Sequence, residues 1–205
     1  MLFYTPCFKT NYIASQEGMV KELKSCRAEA RLTTEIDGLY PILIGSADNN
    51  QISQYAKPYI QRISLSIRDR DWLEFFKCST KIVGVGIGLT PSGDDFLCGV
   101  FASLYFYNTI FNDSLTEDQL KNLANSVEHK TSPFSATLIK SAAQGWVQDL
   151  ISYWLVSLFQ TDSKQVKKLT KDILKIGHSS GADILLGLIT ALESIFSKKI
   201  LVENS

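Results

Sequence analysis

An α+β fold is what the sequence predicts: a β-rich part over residues 1–80 and then a helical, motif-bearing part of about five helices over 81–205. The boundary is soft enough that the two can form one domain. Three observations point there. The first is a strand-like alternation in "RISLSIR" (62–68), where Ile63, Leu65 and Ile67 alternate with Arg62, Ser64, Ser66 and Arg68. The second is a change of period at Pro91, after which apolar residues recur at steps of three and four. The third is that 205 residues with 45% hydrophobic content can bury a sizeable core.

Short helices are expected near 17–30 and 71–77. Between them, "LYPILIG" (39–45) reads as a short β-rich run that ends in the turn-like "SADNN". Beyond Pro91 the expected helices run from Ser92 to about Ile110, Glu117 to about His129, Pro133 to about Phe159, Lys164 to about Ile176, and Gly181 to about Ser197. In the fourth, Val166, Leu169, Ile173 and Ile176 mark one buried face, while Lys164, Lys168, Lys171 and Lys175 mark a stripe. That stripe is read as a solvated face, with an acidic partner surface as the other reading.

Charge and cysteine usage narrow the setting. Twenty-one Lys and Arg balance 21 Asp and Glu, so no long-range field favours nucleic acid or an anionic membrane. Any bound anion must be held by local geometry. Cys7, Cys26, Cys78 and Cys98 are scattered without a CxxC pair, and no leader-like segment is recognised. A reduced cytoplasm and free thiols are expected. The longest apolar run, Phe96 to Tyr107, is shorter than the ~20 residues that a membrane-spanning helix requires.

The densest chemistry lies in "VGVGIGLTPSGDDFLCG" (83–99). Gly84, Gly86 and Gly88 feed Thr90, Pro91, Ser92 and Gly93, and the adjacent acids Asp94 and Asp95 then open an apolar helix. An echo follows 88 residues later: "PSGDDFLCG" (91–99) and "SSGADILLG" (179–187) share S-G-x-D-x-L-x-G. Ser92 and Asp95, like Ser180 and Asp183, are spaced as a near variant of a capping box, and Gly99 and Gly187 allow close backbone approach. Two similarly capped helices packed at their glycines account for those residues and predict that Asp95 and Asp183 lie close together. They leave Asp94, the glycine loop and His178 unexplained.

A glycine-rich loop feeding a helix N-terminus exposes amides suited to phosphate or carboxylate. Asp94 and Asp95 would repel that anion unless a cation lay between them, and an oxygen-only pair suits Mg²⁺. A ligand loop and a purely structural loop therefore both stand. His178 is either a polar residue at a helix start or a general acid/base. A third capped helix begins in "HKTSPFSATLIKSAAQG" (129–145), where Thr131, Ser132 and Ser135 surround Pro133 and could add an anion contact.

Competing motifs fail. The glycine loop matches neither G-x-G-x-x-G nor the P-loop, so no nucleotide or organic cofactor is expected. "GHSSG" (177–181) is literally G-x-S-x-G, but a helical pattern precedes it and both His129 and His178 come before Ser179. Two histidines without paired cysteines do not make a zinc site.

"GVGIGLTPSGDDFLCG", "TSPFSATLIKSAAQG" and "GHSSGADILLG", in that order, closely resemble the three motif blocks of the AllH-like family over about residues 80–190. The family is named for a subunit of the oxamate carbamoyltransferase of bacterial allantoin and purine catabolism, and its members accompany FdrA-type proteins. The resemblance implies carbamoyl transfer between carbamoyl phosphate and an oxamate-like acceptor, by a complex with FdrA-like (AllF-like) and AllG-like subunits. Functional positions carried over are Gly86, Gly88, Thr90, Ser92, Gly93, Asp94 and Asp95, then Thr131, Ser132 and Ser135, then His178, Ser179, Gly181 and Asp183. Asp94, Asp95 and His178 are the candidate catalytic groups, and the others are substrate contacts. The S-x-R-T-R phosphate loop of the aspartate and ornithine carbamoyltransferases is absent, so any transfer uses different chemistry or borrows groups from partners. The alternative is a non-catalytic structural or small-anion-binding subunit of an FdrA-type complex.

Overall fold

The computed structural model describes residues 15–33, 37–46, 50–111, 115 and 117–203. Among them the elements are α1 (Gln16–Ala30), α2 (Tyr40–Ile44), α3 (Gln51–Asp69), α4 (Trp72–Ile82), α5 (Ser92–Phe111), α6 (Glu117–Asn125), a 3-10 turn (Glu128–Lys130), α7 (Pro133–Ala142), α8 (Asp149–Phe159), α9 (Ser163–Ile173) and α10 (Ser180–Glu203). No strand occurs among the described residues, so the expected β-rich N-terminal part is corrected: the fold is helical.

Both strand expectations failed for identifiable reasons. The alternating segment 62–68 is the second half of α3, whose buried positions are Ser53, Ala56, Ile60, Ile63, Ser66 and Ile67. Two of these are serines, so a polar label hid the helical stripe. Ser66 is satisfied locally by donating its hydroxyl to the Ile63 carbonyl at 2.8 Å. Leu65, which completed the apparent alternation, is 48% exposed. In the other segment, Leu39 is the N-cap of α2 and Gly45 ends it at φ 71°. So short a helix is held from outside, because Arg27 of α1 and Arg31, which caps its C-terminus, donate to the carbonyls of Leu43 (2.7 Å) and Ile44 (2.9 Å).

The helix expected over Pro133 to Phe159 is broken in two. Gly145 takes φ 79° directly against the Tyr105 ring, where an added Cβ would lie 2.2 Å from the ring edge. The chain turns there, and α8 restarts at Asp149. On α9, Val166, Leu169 and Ile173 are buried, while Lys164, Lys168, Lys171 and Lys175 are all exposed.

α5 and α10 form the centre. Both are apolar around most of their circumference, which suits helices covered on all sides. α10 is long and apolar enough to cross a membrane by length and composition, but its apolar length is mostly buried within the protein. They cross through Gly99 and Gly187. A Cβ on Gly99 would lie 2.2 Å from the Ile184 carbonyl oxygen, and one on Gly187 would lie 2.0 Å from that of Phe96. Residues 96 and 99 precede 184 and 187 by the same 88 positions, so the contact is reciprocal, as at a two-fold axis.

The symmetry extends beyond the repeated residues. Gly93, second in α5, sits against the carbonyl of Ile82, the last residue of α4; Gly181, second in α10, sits equally tightly against that of Ile173, the last residue of α9. The molecule thus contains two helix–loop–helix units, α4–α5 and α9–α10. One hydrophobic cluster joins them and reaches from Met19 of α1 to Phe196 of α10.

Cys26, Cys78 and Cys98 are free thiols, and Cys7 lies outside the described residues. Burial pushes the thiols of Cys26 and Cys78 up to about 11.

Candidate functional site

The three motif blocks converge where α5 and α10 begin. After α4, the chain turns through Gly84 (φ 75°), Gly86 (φ 125°) and Gly88 (φ 99°). At Gly86 a Cβ would lie 2.5 Å from the Ser92 amide nitrogen, so only glycine lets the loop close over the helix start. The Gly93 amide is not free for a ligand, because it donates to the Val85 carbonyl at 2.8 Å.

Asp94 is 1% exposed and ties two blocks together. Its Oδ1 accepts the Gly84 N–H at 2.7 Å and its Oδ2 accepts the Thr131 hydroxyl. Ser132 caps α7 by accepting the Ser135 N–H at 3.1 Å, and the Ser135 hydroxyl donates to the Leu89 carbonyl at 3.4 Å. The second block thus braces the glycine loop.

Asp95 and Asp183 are 4% and 0% exposed. Their pairing is crossed. The Ser180 and Thr90 hydroxyls interact with Asp95, while those of Ser92 and Ser179 interact with Asp183. The motif serines Ser92 and Ser180 therefore each face the other repeat's acid, while Thr90 and Ser179 face the acid of their own. Ser92 and Ser180 are the first residues of their helices. The amides of Asp95 and Asp183 donate to the carbonyls of Pro91 (3.1 Å) and Ser179 (3.0 Å), not to the serine hydroxyls, so the capping-box reading is corrected. Burial raises Asp95 from 3.8 to about 6, with Asp94 adding repulsion and the hydroxyls opposing it. Burial also raises Asp183 from 3.8 to about 7, against the stabilising Leu39 N–H and the two serines, with Asp95 adding repulsion. That mutual repulsion reflects how near the two helix starts lie.

Asp183 has a cover that the motif reading missed. Its Oδ1 accepts the Leu39 N–H at 2.7 Å, and Gly38 (φ 71°) lies so close that a Cβ would be 2.7 Å from both Asp183 Oδ2 and Ser92 Oγ. Asn50 holds this turn by donating to the Gly38 carbonyl at 2.9 Å. The Asp37-Gly38 dipeptide is a turn signal in the sequence, but nothing local ties it to a motif 144 residues away.

Two cavities flank the crossed acids. A polar one of about 630 Å³ is lined by Asp37, Gly38, Asn50, Gln51, Ile52, Ile87, Gly88, Ser92, His178, Ser179 and Ser180. At its rim His178 Nε2 meets Asp37 Oδ2 at 2.9 Å, both side chains being largely exposed. An apolar one of about 180 Å³ lies on the other side, with Thr90, Asp95, Cys98 and Ser180 at one end and aromatic and aliphatic side chains around it. Burial and the nearby Asp95 and Asp94 carboxylates push the Cys98 thiol well above its ordinary value, so it is no thiolate nucleophile.

Gly86, Gly88, Thr90, Ser92, Thr131, Ser179 and Asp183 thus gather with Asp94, Asp95 and His178 in one region. Gly93 and Gly181 instead face carbonyls of the preceding helices, and Ser132 is spent on its cap. Asp94 and Asp95 direct their carboxyls to different partners. No group of three or more His, Cys, Asp or Glu side chains suited to a metal is gathered among the described residues.

The family model described as oxamate carbamoyltransferase subunit AllH matches residues 82–192. The chain belongs to the AllH family. No solved structure matches it. The AllH match starts at the last residue of α4 and ends inside α10, so it takes in the glycine loop and α5, the second block, and α9 with the first half of α10. The Gly38–Leu39 cover of Asp183 lies outside it.

Proposed function

We propose that this AllH protein acts in carbamoyl transfer between carbamoyl phosphate and an oxamate-like acceptor, as one subunit of a complex with FdrA-like and AllG-like partners in purine nitrogen breakdown. The polar cavity holds the small anion. The observation that carries this reading is the convergence of all three motif blocks on one pair of helix starts.

A helix start leaves first-turn amides without intrahelical acceptors. In α10, those of Gly181 and Asp183 are spent on the carbonyls of Ile176 and Ser179, which leaves the amides of Ser180 and Ala182 for a ligand. The hydroxyls of Ser92, Ser179 and Ser180 add donors, and the dipole favours a negative group there. His178, at the rim and paired with Asp37, is placed to give or take a proton from a bound acceptor. No lysine or arginine among the described residues lines the cavity, so a phosphoryl dianion would need a further cation, from a partner subunit or from Mg²⁺.

The test is calorimetric titration with oxamate and with carbamoyl phosphate, each with and without Mg²⁺. Binding in the millimolar range or tighter, weakened about ten-fold by Ser179→Ala, is the expected outcome. Absence of binding by both ligands under both conditions would overturn the isolated-site claim.

A second reading is favoured by the near-complete burial of Asp95 and Asp183: the crossed pairs lock a non-catalytic subunit. Asp94→Asn separates the two. Loss of activity in an assembled complex supports the enzyme reading, and loss of assembly supports the lock.

A further inference from the structure

We infer that the apolar cavity beside Asp95 is a second binding site, for a small carboxamide: a ligand with an amide N–H at one end and a branched apolar body of about seven heavy atoms. It is distinct from the polar cavity and stands whether or not that cavity binds an anion.

The internal two-fold supplies the argument. Asp95 and Asp183 are equivalent, and each faces the opposite repeat's serine. On the Asp183 side, the chain itself fills the space over the acid with a backbone amide carrying an apolar side chain. The Leu39 N–H donates to Asp183 Oδ1, and the leucine is fully buried. On the Asp95 side, no backbone amide among the described residues arrives. Asp95 itself lines the open space, and its Oδ2, like that of Asp183, is buried without a hydrogen-bond partner. Thr90 and Ser180, the hydroxyls nearest to it, pair with each other at 3.2 Å.

The unfilled space has the chemistry of the missing group. Leu138, Ile151, Ile176, Ile184, Phe134 and Trp146 surround it. Its volume of about 180 Å³ compares with the roughly 150 Å³ apolar cavity that accepts benzene. The titratable groups that face Asp95 are Asp94, Asp183 and the protonated Cys98, and no cation among the described residues answers it. An N–H donor therefore complements the carboxylate, whereas a ligand carboxylate is repelled. Phe134 and Trp146 are each about half exposed and form the mouth.

Isovaleramide, isovalerate and 4-methyl-2-pentanone share one shape and differ at the donor end. They are titrated into the full chain by calorimetry, with Trp146 emission as a second readout. The amide is expected to saturate, at least ten-fold more tightly than the ketone or the acid, and to lose at least ten-fold in affinity in Trp146→Ala. Equal affinity of amide and ketone would overturn the amide assignment. No saturation by the amide below about 50 mM would overturn the site, as would unchanged calorimetric affinity in Trp146→Ala.

Discussion

The two helix–loop–helix units share one backbone plan and finish it differently. At the start of α10, Asp183 is roofed by Gly38 and Leu39 from a segment outside the family match. At the start of α5, Asp95 opens into a cavity. The shared part is set by contacts that no side chain can negotiate: a glycine against a carbonyl in each unit, and a reciprocal glycine crossing between them. The acids are where the copies were free to differ, because what covers a carboxyl comes from elsewhere in the chain.

The largest expected effect tests the shared plan. Gly93→Ala and Gly181→Ala each place a Cβ 1.8 Å from a backbone carbonyl oxygen. Both should cost roughly 4 kcal/mol or more, and similarly, in urea denaturation. If one is tolerated while the other unfolds the protein, the two units are not equivalent.

The next tests the difference between the units. At pH 5, below both raised pKa values, neither acid carries a buried charge. There Asp183→Ala should cost about 2 kcal/mol, because the Leu39 N–H loses its acceptor. Asp95→Ala orphans no backbone amide and should cost under about 1 kcal/mol. Urea melts of the two variants give the comparison directly, and equal losses would break it.

The effect spread most thinly, over three units of pH, is that of titration. Both acids sit above 3.8 in the fold, at about 6 and about 7, so between pH 4 and 7 the folded state holds more protons than the unfolded chain. Their contribution to stability is greatest at the acidic side of that window and is lost as the pH rises through 6 and 7. Tm should fall by roughly 10 °C from pH 5 to pH 8, at about 1.36 kcal/mol per pH unit that separates pH 5 from each raised value and about 2–4 °C per kcal/mol, and Asp183→Asn should flatten that fall more than Asp95→Asn.

Much of the site was legible because the echo of S-G-x-D-x-L-x-G marks equivalent helix starts, and inner glycines announce a close crossing. The crossed pairing was not legible. Ser92 and Asp95 stand at a spacing that satisfies a local cap, and only the fold shows that each looks across the axis instead. Of the N-terminal helices, α1 and α4 were foreseen near 17–30 and 71–77, and α2 and α3 were missed. In α3 the buried face carries Ser53 and Ser66, so the apolar residues left over imitate a period of two. Its start was nonetheless written in the sequence: Asn50 accepts the Ser53 amide at 2.7 Å, and Asp71 accepts that of Glu74 at 2.9 Å at the start of α4.

The crossing of the two pairs also governs how such a chain can change. A substitution of Ser92 leaves its own repeat's acid untouched and alters the setting of Asp183; one at Ser180 alters that of Asp95. Neither copy can drift as a wholly self-contained unit, since its motif serine faces the other copy's acid. What is inherited as a working part is the pair made of one copy's hydroxyl and the other's carboxyl, with its two halves 91 residues apart for Ser92 and Asp183 and 85 apart for Asp95 and Ser180.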